Sequence, residues 1–223
     1  VARGAVWLAM AGPLAAAATP ATGLCESGQR QSPIDITLTQ PQALPALQTL
    51  YPPPGPRSPL RVVNDGHTVR VRFAPGSHLL IGREALTLQQ FHFHTPGGDQ
   101  LRGESFPMAM HWLHKRASGQ LVSMVVLFRL GADNAALAEL LPHLPAAGEP
   151  ERPLALGTAF DPTRLLPAHR GYYAYEGSLT APPCTEGVQW LVLKEPLSLS
   201  ATQLQRLHTL FADNARPVQP LHG

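Results

Sequence analysis

Charge is scarce in this chain: Asp, Glu, Lys and Arg make up 14% of its 223 residues, against about 25% in an average globular domain. The net charge is only +2, and no basic run interleaves with aromatic residues, so the electrostatic footprint of a nucleic-acid binder is missing. Beyond the first ~20 residues, no stretch approaches the ~18 uninterrupted apolar residues of a membrane span. There is no internal repeat at the ~20–50-residue periods of solenoids and propellers. Cysteine is limited to Cys25 and Cys184, and spacing leaves a disulfide, an incomplete metal site and two buried thiols all open. Abundance lies elsewhere, in 24 Pro and 19 Gly, which together fall short of the ~25–30% that signals low complexity. With 44% hydrophobic residues, the composition points to one loop-rich β domain around a single core.

Residues 1–22 carry Arg3, the apolar run Ala5 to Met10 and an Ala-rich stretch through Ala18, the layout of a secretory signal or else of an N-terminal arm. Residues 23–223 form the expected single domain. Export to the periplasm or beyond would place the cysteines in an oxidising compartment, where a disulfide persists. Pro41 to Pro59 holds too many prolines for a central strand and is expected to wrap the surface as a stiff loop. Val69 to Phe73 alternates with period two and reads as a strand with one solvated face, followed by a turn at Pro75-Gly76. Leu86 to His94 and Met108 to His114 read as further strands, and Leu121 to Leu130 as one buried on both faces. Helical signals are few, the clearest being Asp133 to Leu141, with an Asp or Asn cap, and Ser200 to Leu210, capped by Ser200.

In Gln90-Phe91-His92-Phe93-His94, strand alternation sends His92 and His94 to one face and both phenylalanines to the other. Pairing this strand antiparallel to Met110-His111-Trp112-Leu113-His114 would bring His111 beside them, while His114, of opposite parity, points away. Three neutral imidazoles leave one zinc position open to water, the pattern of a catalytic site and not of a closed structural one. Gln90 shares the face of His92 and can orient its ring. His78, His143, His169, His208 and His222 read as ordinary surface residues.

An ordered set of motifs accompanies these histidines: Gln31-Ser32-Pro33-Ile34-Asp35-Ile36, Asn64-Asp65-Gly66-His67, Tyr175-Glu176-Gly177-Ser178-Leu179-Thr180-Ala181-Pro182-Pro183-Cys184, Trp190 to Pro196, and Asn214-Ala215-Arg216-Pro217-Val218-Gln219-Pro220-Leu221. From Gln31 to Leu221 the chain resembles the alpha class of carbonic anhydrases. The resemblance implies a mainly β fold: a central, twisted, largely antiparallel sheet with a few short peripheral helices and a zinc ion at the base of a conical cleft. It further implies Zn2+ held by His92, His94 and His111, with Gln90 and Asn214 supporting them. It implies Thr180 as the group that orients the zinc-activated nucleophile and His67 as proton shuttle, since imidazoles exchange protons near neutral pH. The apolar pocket for carbon dioxide maps to Leu113, Leu179, Val188 and Trp190, with Ser123 where an aliphatic residue is usual. The resemblance pairs Cys25 with Cys184. The implied function is reversible hydration of carbon dioxide to bicarbonate, a small-molecule lyase chemistry.

Two positions depart from the family pattern. The glutamate that normally accepts the threonine hydroxyl's hydrogen bond aligns with Gly98, in Thr95-Pro96-Gly97-Gly98-Asp99. Either Asp99 or Glu104 would have to reach Thr180 instead; the expectation is that neither substitutes fully and that Gly98→Glu would restore the acceptor. Ala109 stands where many members carry a glutamate that orients the third histidine, a loss that typically costs ~10–100-fold in metal affinity or activity. Reduced turnover follows, and the competing reading is a non-catalytic relative that keeps the fold as a binding module.

Overall fold

The computed structural model describes residues 23–37, 42–55, 59–156 and 160–221. The signal-like segment 1–22 and His222 lie outside them. A short helix α1 (Gly23–Ser27) precedes strands β1 (Asp35–Ile36), β2 (Leu47–Leu50), β3 (Arg61–Asn64), β4 (Val69–Arg72) and β5 (His78–Ile81). The long strands follow: β6 (Glu84–His94), then β7 (Gln100–Leu101), β8 (Met108–Lys115) and β9 (Leu121–Leu130). Helix α2 (Ala135–Leu140) and strand β10 (Arg152–Pro153) lead to β11 (Tyr172–Ser178), β12 (Glu186–Leu193), β13 (Leu197–Leu199) and helix α3 (Ala201–His208). Eleven strands form one sheet in the order β10-β3-β4-β6-β8-β9-β12-β11, with β13 on β9 and the β2-β5 pair on β6. Neighbours are antiparallel except that β12 and β13 both run parallel to β9, so the fold is mainly β and largely antiparallel, as expected.

Helices α2 and α3 start where their caps dictate. Asn134 Oδ1 accepts from the amides of Ala136 and Leu137, and Ser200 forms a reciprocal capping box with Gln203, each arrangement satisfying amides that the first turn leaves without partners. One expectation needs correction. The proline-rich segment 41–59 contains strand β2, because 46–51 is a proline-free window and β2 sits at the edge of the sheet, paired only with β5; an edge strand tolerates flanking prolines that a central one would not.

A bulge in β6 positions the site. The register against β8 shifts between Leu88, opposite His114, and Gln90, opposite Leu113. The extra residue moves the alternation by one, so Leu86, Leu88, Phe91 and Phe93 all enter the larger core with Trp112 and Met110. Gln90, His92 and His94 are thereby left on the opposite face. His114 lies on the core side, as its parity requires, and hydrogen-bonds the Tyr51 hydroxyl at 2.7 Å.

A candidate metal centre at the base of a cleft

Two rows of side chains cross the sheet and floor the cleft. In one, Arg70 of β4 faces His92 of β6, His92 faces His111 of β8, and His111 faces Val125 of β9. In the other, Arg72 faces Gln90, Gln90 faces Leu113, Leu113 faces Ser123 and Ser123 faces Trp190 of β12. The register thus gathers distant residues onto one surface.

His92, His94 and His111 each present a ring nitrogen within 4.8 Å of the others. His92 and His94 bring their Nε2 atoms to 3.1 Å, while His92 Nδ1 is held 3.0 Å from Gln90 Oε1. Burial lowers the pKa of all three, that of His94 to about 4; mutual repulsion among the rings, and Arg70 beside His92, push His92 and His111 further the same way. Unprotonated imidazoles are the form a divalent cation requires. Three neutral nitrogen donors, one already oriented by an amide, fit a zinc ion with one open position.

The third histidine is the least supported. His111 Nε2 is buried without a hydrogen-bond partner among the described residues. Ala109, two residues back on the same face, offers only a methyl group and packs into an apolar cluster with Phe106, Val125 and Leu127. Trp190 meets the His111 ring edge-on at 5.0 Å and is itself fixed by its indole N–H, which donates to Ser178 O at 3.1 Å.

The cleft encloses about 350 Å³ and gathers nearly every residue singled out in the sequence: His67, Gln90, the three histidines, Leu113, Ser123, Leu179, Thr180, Val188 and Trp190. Asn214 stands behind the wall. Its side-chain N–H groups donate to the carbonyls of His67 and Phe93, and its Oδ1 accepts from the Thr95 amide, so it ties the His67 turn to the end of β6. Arg70, Arg72 and Thr68 also line the cleft; strand alternation predicts only a solvated face for the arginines, whose opposite parity to Val69 and Val71 points them away from the main core.

Thr180 sits on a loop that closes on itself, with the Leu179 amide bonded to Thr185 O and the Cys184 amide to Ala181 O. Beneath it, Ser32 and Ser178 exchange reciprocal hydrogen bonds. Gly177 permits that approach, since a Cβ there would lie 2.1 Å from Ser32 Oγ. Cys184 is joined to Cys25 by a disulfide, with Cα atoms 5.0 Å apart.

Neither alternative carboxylate reaches Thr180. Glu104 forms a two-pronged ion pair with Arg129 at the surface. Asp99 Oδ1 accepts from the Ile34 amide at 3.1 Å and the Tyr175 hydroxyl at 2.8 Å, and its Oδ2 is buried without a partner among the described residues. Burial raises the Asp99 pKa to about 6 against the pull of those two hydrogen bonds. The geometry at Gly98 bears on the Gly98→Glu expectation: Gly98 has φ +82°, a Cβ there would touch Pro33 at 3.4 Å, and the residue lines a separate cavity with Asp99 and Arg216. A glutamate at this position starts from a strained backbone and points toward Pro33.

Comparison with known proteins agrees with this geometry. The family profile described as eukaryotic-type carbonic anhydrase matches residues 18–223. The carbonic anhydrase of Pectobacterium carotovorum is 38% identical over 206 residues, covering 92% of this chain and 82% of the relative. Among solved structures, the alpha-carbonic anhydrase of Photobacterium profundum superposes with a TM-score of 0.82 at 36% identity, covering 91% of this chain and 90% of that one. The alpha-carbonic anhydrase of Thermovibrio ammonificans, in complex with the inhibitor sulfanilamide, does so at 0.81 and 34% identity, covering 92% and 89%. A sheet of this topology, a cluster of three histidines and matches along nearly the whole length converge on one assignment: the chain belongs to the alpha class of carbonic anhydrases.

Proposed function

We propose that the protein is an exported zinc carbonic anhydrase that interconverts carbon dioxide and bicarbonate with reduced turnover. The observation that carries this reading is the convergence of His92, His94 and His111 within 4.8 Å at the base of a cleft that also contains Thr180, His67 and an apolar wall. The three histidines would hold zinc, which when bound supplies the Lewis acidity that makes a water molecule nucleophilic near neutral pH.

The remaining steps belong to the chain. Leu113, Leu179, Val188 and Trp190 offer a neutral, linear substrate an apolar surface beside the metal position. The Thr180 hydroxyl would orient the attacking oxygen, and its backbone N–H would face a substrate oxygen. His67, exposed at the mouth of the cleft, would carry the released proton to buffer. Glu104 and Asp99 are committed to other partners, which leaves Thr180 without either carboxylate, and His111 Nε2 has no partner among the described residues. Reduced turnover follows from these two gaps, the second alone being worth about 10–100-fold in metal affinity or activity. The disulfide supports an oxidising destination. Among the described residues no helix is long and apolar enough to cross a membrane.

The test is stopped-flow carbon dioxide hydration on protein of measured zinc content, beside His94→Ala. The expected result is one zinc per chain and measurable hydration in the parent, with both lost in a folded His94→Ala protein. A parent that retains zinc yet shows no hydration above the uncatalysed rate would favour the second reading, a non-catalytic relative, for which the same two gaps speak.

A further inference from the structure

Carbon dioxide is neutral and needs only the apolar wall, yet the facing wall of the cleft is cationic. Arg70 and Arg72 project from β4 on the same face, two residues apart, directly across from His92 and Gln90, and both line the cleft. Each is only partly neutralised. Arg70 pairs through Nη2 with Asp65, whose other oxygen is already committed to the His67 and Thr68 amides. Arg72 pairs through Nη1 with Glu151 at 3.2 Å, and Glu151 is shared with Arg61. Three guanidiniums thus face two carboxylates. The remaining N–H groups of Arg70 and Arg72 have no hydrogen-bond partner among the described residues, and a guanidinium offers them as a planar fork suited to a carboxylate.

We propose that Arg70 and Arg72 form an anion subsite beside the metal position, built for the carboxylate class of ligand, of which bicarbonate is the smallest relevant member. The proposal rests on the metal-site reading above, because the subsite is defined by its adjacency to His92. Its ligand would meet the three-histidine end with one group and the arginine wall with a negatively charged one. The row Arg72, Gln90, Leu113, Ser123, Trp190 is cationic at its Arg72 end and apolar around Leu113 and Trp190, which gives such a ligand one favoured orientation across the cleft.

The experiment compares two probes on the zinc-loaded protein by calorimetry: 4-methylbenzenesulfonamide and 4-carboxybenzenesulfonamide. They share the head group of the inhibitor bound to the Thermovibrio relative and differ in the para substituent, apolar in one and anionic in the other, so the salt dependence and the arginine variants isolate the contribution of charge. Two half-exposed cation contacts predict that the carboxylate binds about 3–10-fold tighter than the methyl compound at low salt, with the preference shrinking as ionic strength rises. In Arg70→Gln/Arg72→Gln the preference should vanish while the methyl compound keeps its affinity within about twofold, or roughly 0.4 kcal/mol. Arg72→Gln alone, which preserves the Arg70–Asp65 pair and the His67 turn, should lose part of it. Equal affinity of the two probes for the parent, or a preference that survives the double substitution, would overturn the proposal and leave the metal site standing. Failure of both probes to bind zinc-loaded parent would overturn the metal-site reading and the subsite with it.

Discussion

Asp99→Asn should make the protein more stable at pH 8 and leave it unchanged at pH 4. Burial raises the Asp99 pKa from 3.8 to about 6, so the folded state prefers the neutral acid. The sign follows directly: below about pH 4 the carboxyl is protonated in both states and costs nothing. Between pH 4 and 6 the folded state holds the proton more tightly, and stability falls as pH rises. Above pH 6 the loss levels off near its full value, about 2 pH units at 1.36 kcal/mol each, or roughly 3 kcal/mol. Asparagine keeps an oxygen to accept from the Ile34 amide and the Tyr175 hydroxyl, and its amide replaces an oxygen that has no partner now, so ionisation is the principal thing removed. Buried histidines contribute in the opposite direction over the same range, since their depressed pKa values favour the neutral form and cost stability as pH falls. The useful quantity is therefore the difference between variant and parent, measured by urea unfolding at pH 4, 6 and 8 with zinc content matched. A gain that grows by about 3 kcal/mol across this range, equivalent to roughly 6–12 °C for a domain of this size, is expected; a pH-independent difference would refute the assignment of Asp99 as a buried, proton-retaining acid.

Other substitutions test the remaining claims. Gly98→Glu should lower stability by about 1–2 kcal/mol, because a residue with a Cβ is strained at positive φ, and should not accelerate carbon dioxide hydration; a faster enzyme of equal zinc content would show that the loop can turn the carboxylate toward Thr180. Gly177→Ala should break the Ser32–Ser178 approach and lower thermal stability and hydration together, since a Cβ would lie 2.1 Å from Ser32 Oγ; unchanged values for both would contradict the packing described. Reducing the Cys25–Cys184 bond, which spans 159 residues, should cost about 5 kcal/mol by the chain-entropy argument, read as a fall in unfolding midpoint with reductant that a Cys25→Ser/Cys184→Ser protein does not show.

The strands carrying the histidines were legible because their periodicity is unbroken where it matters: Phe91 and Phe93 alternate with His92 and His94, and the pairing that sets His92 opposite His111 follows from that parity. The β6 bulge was not read, although the consecutive polar residues Gln89 and Gln90 interrupting the Leu86, Leu88 alternation mark it. Strand β2 was hidden by surrounding prolines, whose local veto does not extend to a short edge pairing. Arg70 and Arg72 were read as solvated because alternation distinguishes two faces of a sheet but not open solvent from a cleft built over one of them. The Gly98 turn is tied to the chain just before β1 by the Ile34 amide, which donates to Asp99 Oδ1 from 65 residues away in sequence, and such a long-range contact leaves no local signature.

The disulfide also determines how the molecule bears a load. Cys25 and Cys184 close a covalent ring that contains His67, all three clustered histidines and Thr180. Near the ring's opening, Arg216 from the C-terminal segment donates to Cys25 O, Gln31 Oε1 and Ser32 O, and Gln219 N–H donates to Pro33 O. Tension applied between the two ends of the domain would first strip this C-terminal segment from its neighbours and then pass across the sulfur bridge to the chain beyond Cys184. The metal-site strands would carry none of it directly. In an oxidising setting, mechanical or proteolytic peeling of the C-terminal end would therefore leave the three histidines, His67 and Thr180 confined within one loop, while Val188, Trp190 and Asn214 lie outside it; in a reducing one the same pull would run through every strand in turn.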